Sequence, residues 1–284
     1  MPNPSLDAIV LLGWLDREEA VQFLRKDCIF DLPPTEDEAK EKWEGYHQRV
    51  DALQPRAAKA PEFLHLTNKE KQSAGRFLAE MYRNGIRNIR DVIKIDPTSL
   101  VVHQLVVILD KAREYQDRVT SIDGWIRDCL PTRLTEHQLQ VTFKQSGTNS
   151  SMDVSLPHGE FFFAQNPMTG AFQIVQGGRH VTVQSFDHRM LLTAGYHRTY
   201  ARVSCAMPEA NERPVLVALV RDTLPSSQSA LAGNKRLSDL RGLRPPLFAD
   251  FLDDRLFMKV RLRKKRYALE VRARVVALDV EVGT

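Results

Sequence analysis

The sequence predicts an α+β fold in two parts, an N-terminal helical domain over residues 1–130 and a mixed, strand-rich α/β domain over 131–284. Three observations carry this. Capped stripes of helical period fill the first part, alternation of period two dominates the second, and one strand-like run in the second part passes through a glycine into a helix at Gly195.

In the first part, two short helices are expected within residues 5–26, the second capped by Asp16. Thr35-Glu36-Asp37-Glu38 has the pattern of a capping box, in which a Thr hydroxyl accepts an N–H of the first turn and Glu38 reaches back to the cap. Behind it Ala39, Trp43, Tyr46, Val50 and Leu53 fall on one helical face. Aromatics at that spacing pack as a core seam; the alternative is a docking surface for a partner protein, shared with Phe77. Thr67 and Glu70 repeat the cap ahead of Ala74, Phe77, Leu78, Met81 and Tyr82, and Asn84-Gly85 stops that helix. A further helix is expected after Asp96-Pro97, with Val102, Leu105, Val106, Leu109 and Ala112 inward. His47, His65 and His103 form no ligand pattern.

After Pro131 the period changes. Leu139, Val141 and Phe143 alternate with polar neighbours as in a half-buried strand. Further strands are expected near residues 153–156, 160–164, 172–175 and 180–186, separated by turns at 147–151, 166–170 and Gly177-Gly178. Residues 223–234 have the composition of a loop. At the C-terminal end Leu256, Met258, Val260 and Leu262 alternate with basic residues, Lys264-Lys265-Arg266 interrupts, and Tyr267, Leu269 and Val271 resume. The simplest arrangement is a hairpin with one buried and one basic face.

The 284 residues are 43% hydrophobic and 27% charged, the balance of a globular protein. No run approaches the roughly 18–20 apolar residues of a membrane helix, and Met1-Pro2-Asn3-Pro4 opens no signal-type segment, so a cytoplasmic location is expected. Three widely spaced cysteines, Cys28, Cys129 and Cys205, suit reduced thiols. Residues 1–130 carry 19 Lys and Arg against 22 Asp and Glu, and residues 131–284 carry 21 against 14, so the formal charge runs from −3 to +7. The basic part is the natural one to face phosphate. Lys259, Arg261, Arg263, Lys264, Lys265 and Arg266 are its candidate nucleic-acid contacts, DNA or RNA, with backbone affinity that falls steeply with salt. The alternative is an edge hairpin whose charges prevent aggregation.

The run Met190-Leu191-Leu192-Thr193-Ala194 leads into Gly195-Tyr196-His197-Arg198. A glycine turn that opens a helix presents unpaired N–H groups and the positive end of the helix dipole, which makes it a seat for an anion. Gly195, His197 and Arg198 are therefore the candidate phosphate-binding residues. The alternative is an ordinary turn whose His197 and Arg198 cap local carbonyls or pair with Asp187. His180, His188, His197 and Cys205 match no compact zinc spacing, although a sheet could gather them. There is no G-x-S-x-G elbow of a serine hydrolase.

Ala194-Gly195-Tyr196-His197-Arg198 followed by Ala201 resembles the phosphate-binding turn of the ParB and sulfiredoxin superfamily, whose forms include GERRxxA, GCHR and DGQHR. The DGQHR form, found in proteins tied to bacterial DNA modification, is closest in its Gly-x-His-Arg order. The resemblance implies an α/β fold that binds ATP or CTP, with Mg²⁺, and a role on or beside nucleic acid in bacterial or phage DNA modification, defence or partition. It places Gly195 in the turn and His197 and Arg198 on phosphate oxygens. Tyr196 stands where sulfiredoxins carry their nucleophilic cysteine, which removes sulfinic-acid repair. No catalytic acid or base aligns. The alternative function is a non-enzymatic nucleic-acid-binding or protein-docking factor.

Overall fold

The computed structural model describes residues 5–56, 63–83, 89–116, 140–146, 149–155, 161–165, 172–176, 181–186, 188–204, 216–221, 239–263 and 268–274. The fold is α+β, with helices, one mixed sheet and further antiparallel sheets among the described residues. Its contacts divide the chain into two units: residues 1–129 with 179–264, and residues 130–178 with 265–284. This differs from a single cut at residue 130, because strands late in the chain return to pair with strands at its start.

The first unit opens on β1 (Ser5–Val10), where a helix was expected. Its run continues as Leu11 and Leu12, and Ile9 to Leu12 are all fully buried. A short apolar run fits a buried helix and a buried strand equally by period, and here β1 is the middle strand of a sheet. Its partners are β5 (Val106–Ile108) and β13 (Met258–Arg263), both antiparallel. Register places Asp7 opposite Arg261 and Ala8 opposite Val260.

A short 3-10 turn, Leu12–Trp14, follows, and α1 (Arg17–Gln22) begins at Asp16 as expected. Next comes α2 (Glu36–Asp51), with both bonds of its capping box in place: Thr35 Oγ1 accepts from Glu38 N at 3.2 Å, and Glu38 Oε2 accepts from Thr35 N at 2.8 Å. Ala39 and Val50 of the stripe are buried, while Trp43 and Tyr46 are half-buried. Trp43 donates to Leu15 O at 2.9 Å and stacks on His47, whose Nδ1 lies 2.9 Å from Gly13 O.

This close approach explains Gly13. A Cβ there would lie 2.6 Å from Tyr46 O and 2.8 Å from Val50 Cγ2. Gly13→Ala is therefore expected to destabilise the protein by about 1–3 kcal/mol through overpacking. Gly45 in α2 has open space where a Cβ would go, so Gly45→Ala is expected to stabilise by about 1 kcal/mol through helix propensity. Urea unfolding midpoints of the two variants check this, and shifts of the same sign would contradict it.

The second sheet has six strands in the order β2-β3-β12-β10-β11-β4, from β2 (Phe63–Leu64), β3 (Ile89–Ile95), β4 (Val101–Val102), β10 (Thr182–Phe186), β11 (Arg189–Ala194) and β12 (Leu216–Arg221). β10 runs parallel to β12 and β11 parallel to β4; the other pairs are antiparallel. Before β3 comes α3 (Asn68–Arg83), whose Thr67 and Glu70 make the expected capping bonds.

The helix expected throughout residues 98–112 is instead a 3-10 turn at Pro97–Ser99, the strands β4 and β5, and then α4 (Leu109–Gln116). Val101, Val102, Val106, Val107 and Ile108 are β-branched, and their stiff χ1 favours the extended backbone over helix. Asp96 still caps the turn, accepting from Thr98 N at 2.9 Å.

In the second unit, β6 (Gln140–Ser146), β7 (Asn149–Ser155) and β14 (Ala268–Arg274) form an antiparallel sheet with β7 central, and β8 (Phe161–Gln165) pairs with β9 (Phe172–Gln176). The C-terminal hairpin is corrected accordingly: β13 pairs with β1 and β14 with β7, so the two basic strands do not pair with each other. The loop at 223–234 lies outside the described residues. Among the described residues no helix is long and apolar enough to cross a membrane.

Candidate functional site

The passage expected at Gly195 is present: β11 ends at Ala194, and α5 (Tyr196–Ser204) begins directly after the glycine. Gly195 has φ 90°, in the left-handed region that only glycine enters without strain. Its carbonyl accepts from Thr199 N at 2.9 Å and from Thr199 Oγ1 at 3.0 Å, which closes the first turn of α5.

Tyr196 is buried. Its phenol donates to Leu192 O at 2.6 Å and accepts from the N–H groups of His103 at 3.0 Å and Gln104 at 3.2 Å, so it fastens the loop between β4 and β5 to the turn. Burial raises its pKa, and it stays a neutral phenol. The ring of His103 meets that of Tyr196 edge to face at 5.8 Å. Burial lowers the pKa of His103, against a hydrogen bond to the Thr193 backbone. Its Nε2 is buried and has no partner among the described residues, so the bond to Thr193 falls to Nδ1.

His197 is the second residue of α5. Its Nε2 is likewise shut away from solvent and has no partner among the described residues. Burial, then the charges of Lys111 and Arg198, push its pKa down to about 3, so the ring is neutral at pH 7. Arg198 is 8% exposed and holds its guanidinium 4.3 Å above the ring of Tyr115. Such stacking leaves the in-plane N–H donors of the fork available. Neither Arg198 nor the half-buried Lys111 has a hydrogen bond or ion pair with another described residue.

These side chains come together because α4 packs against α5. Lys111 and Tyr115 are four residues apart on α4 and share one face. The neighbouring carboxylate, Asp110, is already engaged: it accepts from Asp7 N at 2.8 Å and from Arg113 at 2.7 Å. The start of α5 thus has Arg198, Lys111 and a neutral imidazole near a helix opening, with no carboxylate bonded to any of the three among the described residues. Such a set carries the charge and the donors that suit an anion.

Gly195, His197 and Arg198 are therefore adjacent at one turn. Sequence reasoning missed Lys111, Tyr115 and His103. The one available signal was the i, i+4 spacing of Lys111 and Tyr115 on a helix whose start was misplaced.

The basic segment lies elsewhere in the fold. Lys259, Arg261 and Arg263 of β13 are exposed, alternating with the buried Val260 and half-buried Leu262, as the period predicts. They form a single-strand stripe, since β1 beside them carries Asp7 and the buried Ile9 at the facing positions. Arg261 is in an ion pair with Asp31 at 3.3 Å. Lys264, Lys265 and Arg266 lie outside the described residues.

A separate groove of about 590 Å³, lined by Phe30, Leu32, Pro33, Pro34, Tyr46 and Arg49 among others, shares no residue with the turn. Cys28 is free and buried, its thiol pushed up to about 12 by burial and by Asp27, which leaves it inert. Cys129, His180, Asp187 and Cys205 lie outside the described residues. No group of three or more His, Cys, Asp or Glu gathers as a metal site among the described residues. In comparisons with known proteins, no family model, no curated protein and no solved structure matches this chain.

Proposed function

We propose that the turn at Gly195 binds the phosphates of a nucleoside triphosphate, ATP or CTP, as the ParB-like turn it resembles does. One observation carries this reading: Arg198, His197 and Lys111 gather at the opening of α5 with no acceptor among the described residues. Half-buried cations are costly without a counter-charge, and a bound phosphate supplies it.

The roles divide by geometry. Gly195 turns the backbone into α5, Arg198 grips two oxygens from its place on Tyr115, and His197 meets the phosphate through its backbone N–H, its ring Nε2 being shut away from solvent. Magnesium would be held chiefly by the nucleotide's own phosphate oxygens and water, as that ion's chemistry allows with few protein carboxylates.

The exposed stripe of β13 is one strand wide and has one of its three described cations neutralised. The geometry thus favours a small phosphorylated ligand over a polynucleotide track.

Equilibrium binding of ATP, CTP and GTP with magnesium to the wild type and to Arg198→Ala tests the reading. At least one nucleotide should bind the wild type, and Arg198→Ala should weaken it at least about tenfold, the order of one charge-assisted pair. Failure of the wild type to bind any of the three removes the reading.

A further inference from the structure

We propose that Lys111 of α4 is a phosphate-binding residue of this site, and that with it the site selects a phosphate dianion, such as the terminal phosphate of a nucleotide, over a singly charged phosphodiester. The inference rests on the nucleotide reading above and adds a residue and a ligand charge to it.

The placement of Lys111 follows from α4. Tyr115, one turn further along the same face, holds the guanidinium of Arg198 at 4.3 Å. Lys111 lies close enough to His197 to disfavour its protonation. Lys111 thus lies one turn before Tyr115 on the α4 face that packs on α5, with its charge felt at His197, the second residue of α5, and Arg198 is the third. Lys111 is half-buried and bonds to no other described residue. A structural lysine of this kind normally reaches a carboxylate, but Asp110 beside it is occupied by Asp7 N and Arg113.

The charge of the ligand follows from the count. Lys111 and Arg198 contribute two full positive charges, and the helix start adds about half of another. A phosphodiester brings one negative charge and leaves more than one positive charge uncompensated in a half-buried place. A terminal phosphate near pH 8 brings two and balances the pair.

The test is a binding cycle at pH 8 with ATP, CTP and the methyl esters of their terminal phosphates, on the wild type, Lys111→Met and Lys111→Arg. Lys111→Met should weaken the free nucleotide about tenfold, with Lys111→Arg recovering most of the loss. The methyl ester should bind the wild type about tenfold more weakly than the parent nucleotide and lose little further in Lys111→Met, the non-additivity of a direct contact. Thermal unfolding of the Met variant should match the wild type, since no hydrogen bond is lost. Equal binding by wild type and Lys111→Met, or an equal loss for nucleotide and ester, overturns the role of Lys111 while leaving nucleotide binding intact. A wild type that binds neither ATP nor CTP overturns both.

Discussion

Replacing Asp250 by alanine is expected to destabilise the protein by about 3–5 kcal/mol, the cost of leaving a buried charge without its partner. Asp250 is 2% exposed and accepts from Arg56 Nη1 at 2.6 Å, from Arg56 Nη2 at 2.7 Å and from Leu247 N at 2.7 Å. The same guanidinium donates to Pro245 O at 3.0 Å and lies 5.7 Å over the ring of Trp14. Backbone bonds lock the arrangement: Arg56 N donates to Leu243 O at 2.7 Å, and Arg189 donates to Arg56 O at 2.7 Å. The segment after α2 is thereby fastened to residues 243–250 and to β11. Removing the carboxylate strands the guanidinium and the Leu247 N–H together. Replacing both partners, Arg56→Met with Asp250→Leu, should cost less than Asp250→Ala alone, because no unpaired charge remains. Urea unfolding of the three proteins measures this. A loss under about 1 kcal/mol in Asp250→Ala would contradict the account.

The second large effect is an acid lability centred on His197. Its pKa in the folded protein, about 3, lies below the ordinary 6.5, so between those values the unfolded chain binds a proton that the folded chain refuses. Its contribution is full above pH 6.5 and is lost as pH falls toward 3, at about 1.4 kcal/mol per pH unit. His103 is shifted the same way by burial and adds to the slope. His197→Gln, which does not titrate, should show a flatter stability profile than the wild type between pH 6 and pH 4. Parallel profiles would mean that His197 is hydrated in the folded protein. A phosphate at the start of α5 should reduce the lability, because it offsets the Lys111 and Arg198 charges that disfavour the imidazolium.

Local chemistry was legible in the sequence, and long-range pairing was not. The capping boxes at Thr35 and Thr67 were readable because every partner lies within four residues. The strand, glycine and helix at Gly195 were readable for the same reason. β1 was misread because Ala8 to Leu12 is too short a run for its period to separate a buried helix from a buried strand, and its partner β13 lies some 250 residues away. The stripe Val102, Leu105, Val106, Leu109 mimicked helical spacing, while its β-branched members chose strand. The same misreading hid half of the site. Once α4 begins at Leu109, Lys111 and Tyr115 share a face toward α5, and His103 falls in a loop that Tyr196 fastens to the turn. The burial of Tyr196 and Arg198 depends on that packing, which no local spacing encodes.

The most direct test of the account is a crystal structure of the protein with ATP or CTP and magnesium. The account predicts phosphate oxygens within hydrogen-bonding distance of the His197 and Arg198 N–H groups, with the Arg198 guanidinium and the Lys111 ammonium on the same phosphate and Tyr115 still beneath the arginine. Nucleotide bound at any other place on the chain, with the opening of α5 empty, would contradict it.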